Sequence, residues 1–328
     1  MRDTMPVAAR RGTSCALRPV TPWVEDMMER ETMQTSADPP PAENRTMRLR
    51  PMTQDDIAGV HALSKAEQWP HRAEDLSDML TVGTGTVAEL NGEIVGTTMW
   101  WRAGPAIVTL GMVIVSRRHR GAGIGRIVME AVLDQIADAI GPDGSIQLNA
   151  TEDGLPLYRK LGFTGIGEIL QHQGAAFQAP LVPLAAGERI RPMGERDGTL
   201  VDALVRAASG LDRPTVMTVL REKAHGVVLT HGDEVTGVAL FRRFGRGYVV
   251  GPVIAPDRTR AQALIAQWIG SRSGEFIRLD IHGNSGLGPW LEELGLVRVG
   301  RVVTMVKGAE PPATAPATAF AIVSQALC

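Results

Sequence analysis

Cysteine is nearly absent from this chain of 328 residues: Cys15 and Cys328 are the two it has, one near each end. That excludes a disulfide scaffold and leaves no Cys/His spacing suited to zinc, so no metal is expected. The usage fits a reducing, cytoplasmic setting. No run of about 18 apolar residues occurs, which argues against a transmembrane helix. Net charge is also missing, because 34 Lys and Arg against 36 Asp and Glu leave −2. Such a balance has no global field to draw nucleic acid or an anionic membrane, and a small molecule is the expected partner. Aromatic residues make up 4% of the chain, so a cluster such as Trp69, Trp100 and Trp101 stands out.

With 44% hydrophobic and 21% charged residues, the chain can bury a core, and its length suits two globular domains plus tails. Residues 1–45 mix Arg, Thr, Pro and Met and lack the apolar centre of a secretory signal. They read as a disordered leader, with Met28, Met33 and Met47 as alternative starts. Residues 309–328, an Ala/Pro/Thr stretch with a short apolar tip, read as a flexible tail.

Between these ends the sequence repeats itself. RLRPMTQDD at 48–56 is echoed by RIRPMGERD at 189–197, and LGMVIVS at 110–116 by VGPVIAP at 250–256. NGEIVGTTMWW pairs in the same way with HGDEVTGVALF, SIQLNAT with FIRLDIH, and LYRKLGF with WLEELGL. Five blocks in one order make two copies of one unit, expected at 46–172 and 188–308 and joined by a linker at 173–187. Each copy reads as α/β. MRLRPM is a short strand, and TQDDIAGVHALSKA opens a helix behind a Thr cap. GTVAEL and EIVGTTMWWR form a hairpin around Asn-Gly. AIVTLGMVIV is a β-branched strand, and Ile124, Val128, Val132 and Ile136 mark one face of a helix. SIQLNA, GLPLYRKL and GFTGIGEIL follow as a buried strand, a short helix and a closing strand.

Arg120-Gly121-Ala122-Gly123-Ile124-Gly125 lies between a strand and a helix, where free backbone N–H groups and the positive end of the helix dipole make an anion seat. Glycines let the main chain approach a phosphate closely. A P-loop is excluded because Gly125 is followed by Arg126-Ile127, and a dinucleotide fingerprint because Arg126 stands where it requires glycine. The run has the Gln/Arg-x-x-Gly-x-Gly/Ala form that seats the pyrophosphate of coenzyme A. With LNAT and LYRKLGF about thirty residues on, the chain resembles the GCN5-related N-acetyltransferase (GNAT) superfamily. The resemblance covers both copies and implies a tandem protein of two GNAT-like domains, each a mixed, mostly antiparallel sheet flanked by helices. The second copy looks degenerate, since Gly121, Gly123 and Gly125 align with Ala261, Ala263 and Ile265, and Tyr158 with Leu291.

By resemblance the first copy binds acetyl-CoA through residues 120–126 (Arg120, Gly121, Ala122, Gly123, Ile124, Gly125 and Arg126) and through Met112, Val113 and Val115, whose backbone runs beside the pantetheine arm. Tyr158 occupies the position of the acid that protonates the leaving thiolate; packing between helix and sheet is its other reading. Asn149 bonds the cofactor, orders a water, or closes a splayed strand end. The strand carries no acid to act as base, which leaves Glu67 as the substitute. Trp69 and Trp100 frame an amine by cation–π contact or pack in the core. The expected activity is direct transfer of an acetyl group from acetyl-CoA to a primary amine of a small molecule in a ternary complex. Alternatives are a non-catalytic acyl-CoA sensor, which needs the phosphate turn but no acid, and a protein N-acetyltransferase. Oligomeric state is left open.

Overall fold

The two sequence copies fold into the same succession of elements in a computed structural model, which describes residues 47–314 and 317–328. The expected leader lies outside the described residues. The first copy runs β1 (Met47–Pro51), α1 (Ile57–Ala66), α2 (Ala73–Thr81), β2 (Thr84–Leu90), β3 (Glu93–Arg102), β4 (Ile107–Val115), α3 (Ile124–Ile140), β5 (Ser145–Ala150), α4 (Leu155–Lys160) and β6 (Thr164–Ala175). The second runs β7 (Glu188–Pro192), α5 (Gly198–Ser209), α6 (Pro214–Lys223), β8 (Ala224–His231), β9 (Glu234–Phe244), β10 (Gly247–Ala255), α7 (Arg258–Ser271), β11 (Phe276–His282), α8 (Gly288–Glu293) and β12 (Val297–Lys307). One further strand, β13 (Thr318–Ala321), has no counterpart in the first copy.

The echo of RLRPMTQDD in RIRPMGERD has a local cause. The Asp56 carboxylate accepts from the Thr53 N–H at 2.7 Å and from the Arg50 guanidinium at 2.8 Å, closing the turn that leads into α1. Asp197 repeats this ahead of α5, accepting from the Gly194 N–H at 2.7 Å and from Arg191 at 2.6 and 2.8 Å. Arg50 holds the Asp56 carboxyl well below the usual range, at about 2, so the bonded, ionised form persists to low pH.

The thirteen strands of the described residues join one sheet, in the order β1-β2-β3-β4-β5-β12-β6-β11-β13-β10-β9-β8-β7. The closing strands are exchanged. β12, from the second copy, pairs antiparallel with β5 of the first, while β6 pairs with β11 of the second and with β12. GFTGIGEIL therefore does not close its own unit, and the copies do not separate at the expected boundary, since β6 itself continues to Ala175. Each closing strand pairs with strands of the other copy.

The largest core likewise belongs to both copies. Leu76, Met79, Met99, Trp101 and Met112 share one cluster with Val201, Met217, Leu240, Val323 and Leu327. Helix α3 covers the opposite face of the first copy through Met129, Val132 and Ile136, and α7 that of the second through Leu264, Ile265 and Ile269.

The stretch 317–328 is packed, which corrects its reading as a flexible tail. β13 inserts between β10 and β11, with Val253 opposite Ala321 and Ala255 opposite Thr318. Val323, Leu327 and Cys328 are buried, and the Arg213 guanidinium donates to the carbonyl oxygens of Leu327 at 2.7 Å and Cys328 at 2.6 Å. Alternating small and apolar residues, Thr-Ala-Phe-Ala-Ile-Val, are enough for a strand once a groove of unpaired backbone receives them.

Candidate active site

Strands β4 and β5 run parallel and in register from Ile107–Ser145 to Leu110–Leu148, and there their pairing stops. Met112 sits at φ +53°, an uncommon conformation for a non-glycine residue, and the β3–β4 register shifts beside it. This bulge turns the rest of β4 away from β5 and leaves backbone groups of Met112–Val115 facing a cleft. The same divergence follows Val249–Arg278 in β10 and β11, where β13 fills it. The second copy thus consumes, with its own chain, the strand edge that the first leaves open.

At the mouth of the first cleft, α3 begins at Gly123, φ +79°, preceded by Gly121, φ +81°. No atom lies within 4 Å of where a Cβ would stand on either residue, so the turn is an open cradle of N–H groups at a helix N-terminus. The second copy again differs. The Asp257 carboxylate caps α7, accepting from the Arg260 N–H at 3.0 Å, and Ala261, Ala263 and Ile265 are buried. A negative group stands where the first copy offers only donors.

Beyond the divergence lies a cavity of about 270 Å³. The first copy contributes Trp69, His71, Met112, Val113, Asn149 and Tyr158 to its wall; the second contributes Phe244, Arg278 and Arg301, and the C-terminal segment Gln325 and Ala326. A Cβ on Gly111 would collide with the Ala326 carbonyl, so glycine is what lets this segment reach the cleft.

Tyr158 is buried, with its ring edge-on to Phe163 at 5.9 Å between centroids. Burial pushes its phenol above the usual value, so it stays protonated. Among the described residues the hydroxyl has no protein hydrogen-bond partner. Asn149 is committed elsewhere: its amide nitrogen donates to the Gln325 carbonyl at 3.2 Å, and its oxygen accepts from the Thr304 hydroxyl at 2.9 Å. It anchors the C-terminal segment and β12 to β5.

Three expectations need correction. Glu67 is outside the cavity wall, and its carboxylate oxygens meet Arg117 at 3.2 Å and Arg120 at 2.7 Å; it braces the glycine turn instead of serving as a free base. Trp100 points to the α3 side of the sheet and packs in that core, because β3 alternates and Trp101 takes the other face, where its Nε1–H donates to the Met79 carbonyl at 2.8 Å. Cys328, expected outside any folded unit, is buried near Asn149, and burial pushes its thiol up to about 12.

His71 had no place among the sequence-derived site residues. Its ring is edge-on to Trp69 at 5.9 Å and to Phe244 at 5.6 Å, and Nδ1 lies 3.0 Å from the Ser64 hydroxyl. Burial, then the charge of Arg278, pushes it down to about 4, so the imidazole is neutral at physiological pH. Arg278 and Asp280 were missed as well, though two charges inside the otherwise apolar strand FIRLDIH were a signal.

Two family models describing an acetyltransferase (GNAT) domain match the chain, at residues 82–165 and 201–321, together more than half of its length. The chain belongs to the GNAT acetyltransferases. It is a tandem member and, as such, an acyltransferase of a family that uses acetyl-CoA. The uncharacterized N-acetyltransferase YitH of Bacillus subtilis (strain 168) is 26% identical over 233 residues, covering 70% of this chain and 79% of its own. Two solved structures share the fold. One is a GCN5-related N-acetyltransferase from Sphaerobacter thermophilus, with TM-score 0.62 and 17% identity over 82% of this chain and 98% of that one. The other is a tandem GNAT protein from the clavulanic acid biosynthesis pathway, with TM-score 0.57 and 12% identity over 82% of this chain and all of that one. No helix among the described residues is long and apolar enough to cross a membrane.

Proposed function

We propose that this GNAT protein moves an acetyl group from acetyl-CoA to a primary amine of a small molecule, by direct transfer within a ternary complex and at the first copy alone. One observation carries the reading: the glycine turn, the unpaired edge of β4 and the protonated Tyr158 all border one cleft, and that cleft ends in a cavity walled by both copies. A volume near 270 Å³ lies just below the roughly 300–1,000 Å³ of most ligand pockets, and suits an acceptor of amino-acid size better than a protein segment.

The backbone N–H groups of 121–125 would hold the pyrophosphate, and Met112–Val115 would run beside the pantetheine arm. Tyr158 would donate its proton to the departing thiolate, a weak base with pKa about 8.5 if it resembles cysteine. The base is harder to supply. An ordinary ammonium near pKa 10.4 stands about 6 units above the value of about 4 for His71, an uphill transfer of roughly 9 kcal/mol. His71 therefore orients an amine that has already lost its proton to water. The fixed positive charge of Arg278 beside the same cavity favours that neutral form. Acyl transfer through Cys328 has no support, because its buried thiol, pushed up to about 12, is a poor nucleophile.

The direct test is thiol release from acetyl-CoA across amino acids, polyamines, aminosugars and aromatic amines, with a control lacking acceptor. Acceptor-dependent release is expected. Tight acetyl-CoA binding with no release for any amine would overturn the reading and favour a sensor.

A further inference from the structure

The wall supplied by the second copy carries chemistry that acetyl transfer alone does not require. Arg278 is buried, 7% exposed, yet it lines the acceptor cavity. Its Nε and Nη2 donate to the Asp280 carboxylate at 2.9 and 3.0 Å, which fixes the plane of the guanidinium. Gln325 of the C-terminal segment donates to the same carboxylate at 3.0 Å, so Asp280 has no freedom to turn away. Among the described residues Nη1 has no partner. Nη1 is not among the fully buried polar atoms that lack a partner, and Arg278 lines the cavity, so this idle donor is open to a ligand there.

The surrounding charge has the same sign. Arg242, also 7% exposed, lies with its guanidinium carbon 4.9 Å from the Phe244 ring centre, and Arg278 approaches that ring at 5.6 Å. The Nη2 of Arg242 donates to the Val323 carbonyl at 3.0 Å, and its Nε is buried with no partner. Asp75, the other buried carboxylate nearby, is held by Arg72 at 2.6 Å. Arg72, Arg242 and Arg278 share the two carboxylates of Asp75 and Asp280, so this cluster beside the cavity keeps one uncompensated positive charge.

From this geometry we infer that the acceptor amine carries a carboxylate, bound by Nη1 of Arg278 in the cavity that Tyr158 also lines. The inference rests on the proposed acetyl transfer and narrows its substrate class to amino acids and related amino carboxylates, setting aside polyamines. A single spare positive charge and one idle donor face match a monoanion better than a phosphate dianion. The second copy, having lost its own cofactor groove, acts as the specificity wall of the first.

The test uses the full chain and pairs of amines that differ by one carboxylate: lysine and cadaverine, ornithine and putrescine, β-alanine and ethylamine. Thiol release is expected to favour the carboxylated member by about ten-fold or more in kcat/KM. In Arg278→Met/Asp280→Asn, where no buried carboxylate is left unpaired, that ratio should fall to near one while the KM for acetyl-CoA stays unchanged. Thermal shifts of the wild-type chain with the same pairs give a readout independent of chemistry and of any folding defect in the variant. A carboxylate-dependent shift without thiol release would retain the inference and count against acetyl transfer. Equal rates and equal shifts within each pair, or a clear preference for a phosphorylated amine, would overturn it.

Discussion

Tyr158 and His71 share a cavity, and burial moves their proton affinities in opposite directions, each toward its neutral form. Tyr158→Phe removes a donor and leaves the ring's packing intact. Turnover is expected to fall by about 10² to 10⁴ while the Kd for acetyl-CoA, measured by calorimetry, changes little. For His71 the consequence is pH-dependent stability. Its ordinary value is about 6.5 in the unfolded chain and about 4 in the fold, so between these the unfolded state binds more protons and stability falls as the medium is acidified. From pH 7 to pH 5 this amounts to about 2 kcal/mol, seen as a lowered urea midpoint, and His71→Asn should lack that component. Asp56 contributes at lower pH, losing its stabilising effect as pH falls from 3.8 through about 2. The place of Tyr158 beside the cavity was legible through the family resemblance that LYRKLGF carries behind the turn. His71 was not, because the groups that tune it, Phe244 and Arg278, come from the other copy and no spacing rule links them to it. Glu67 misled because its partners, Arg117 and Arg120, lie some fifty residues away.

At the level of elements, one strand–turn–helix sequence gives an open site in one copy and a sealed one in the other. Gly123 at φ +79° with empty space around its Cβ position is where the difference is most easily tested. Gly123→Val should weaken acetyl-CoA binding by at least about ten-fold, with a fold cost of roughly 1–2 kcal/mol for a β-branched residue in the left-handed region. An unchanged Kd would remove the turn from the cofactor site. The glycine spacing, the strands around it and the helix face of α3 could all be read from periodicity. The bulge at Met112 could not, because methionine has no preference for positive φ and tertiary pairing imposes it. Nor could β13 be read. Its four residues form a strand only because β10 and β11 part to receive them, a fact about partners far away in the chain.

For the whole molecule, the two sealing devices of the second copy, β13 in its groove and Asp257 on its helix, set a stoichiometry. Titration calorimetry should give one acetyl-CoA per chain; two would contradict the sealed groove. The packing of the C-terminal segment can be followed through Cys328, whose thiol is buried and pushed up to about 12. In a Cys15→Ser background, labelling by a thiol reagent at pH 8 should be slow for the native chain. It should be at least about ten-fold faster in Arg213→Met, which loses the donor to Leu327 and Cys328. The doubling of the fold was evident from five echoed blocks. The exchange of its closing strands was not, since hydrophobic alternation fixes which face of a strand is buried but not which neighbour it pairs with.

That exchange gives biosynthesis an order of events. β5 is finished at residue 150, yet its lasting neighbour β12 does not end until residue 307. At roughly 5–20 residues per second, the nascent chain carries a bare sheet edge for about 8–30 seconds. An unpaired edge of that kind is where a chaperone can bind and where two chains on one polysome can pair with each other. In the finished sheet β12 covers it.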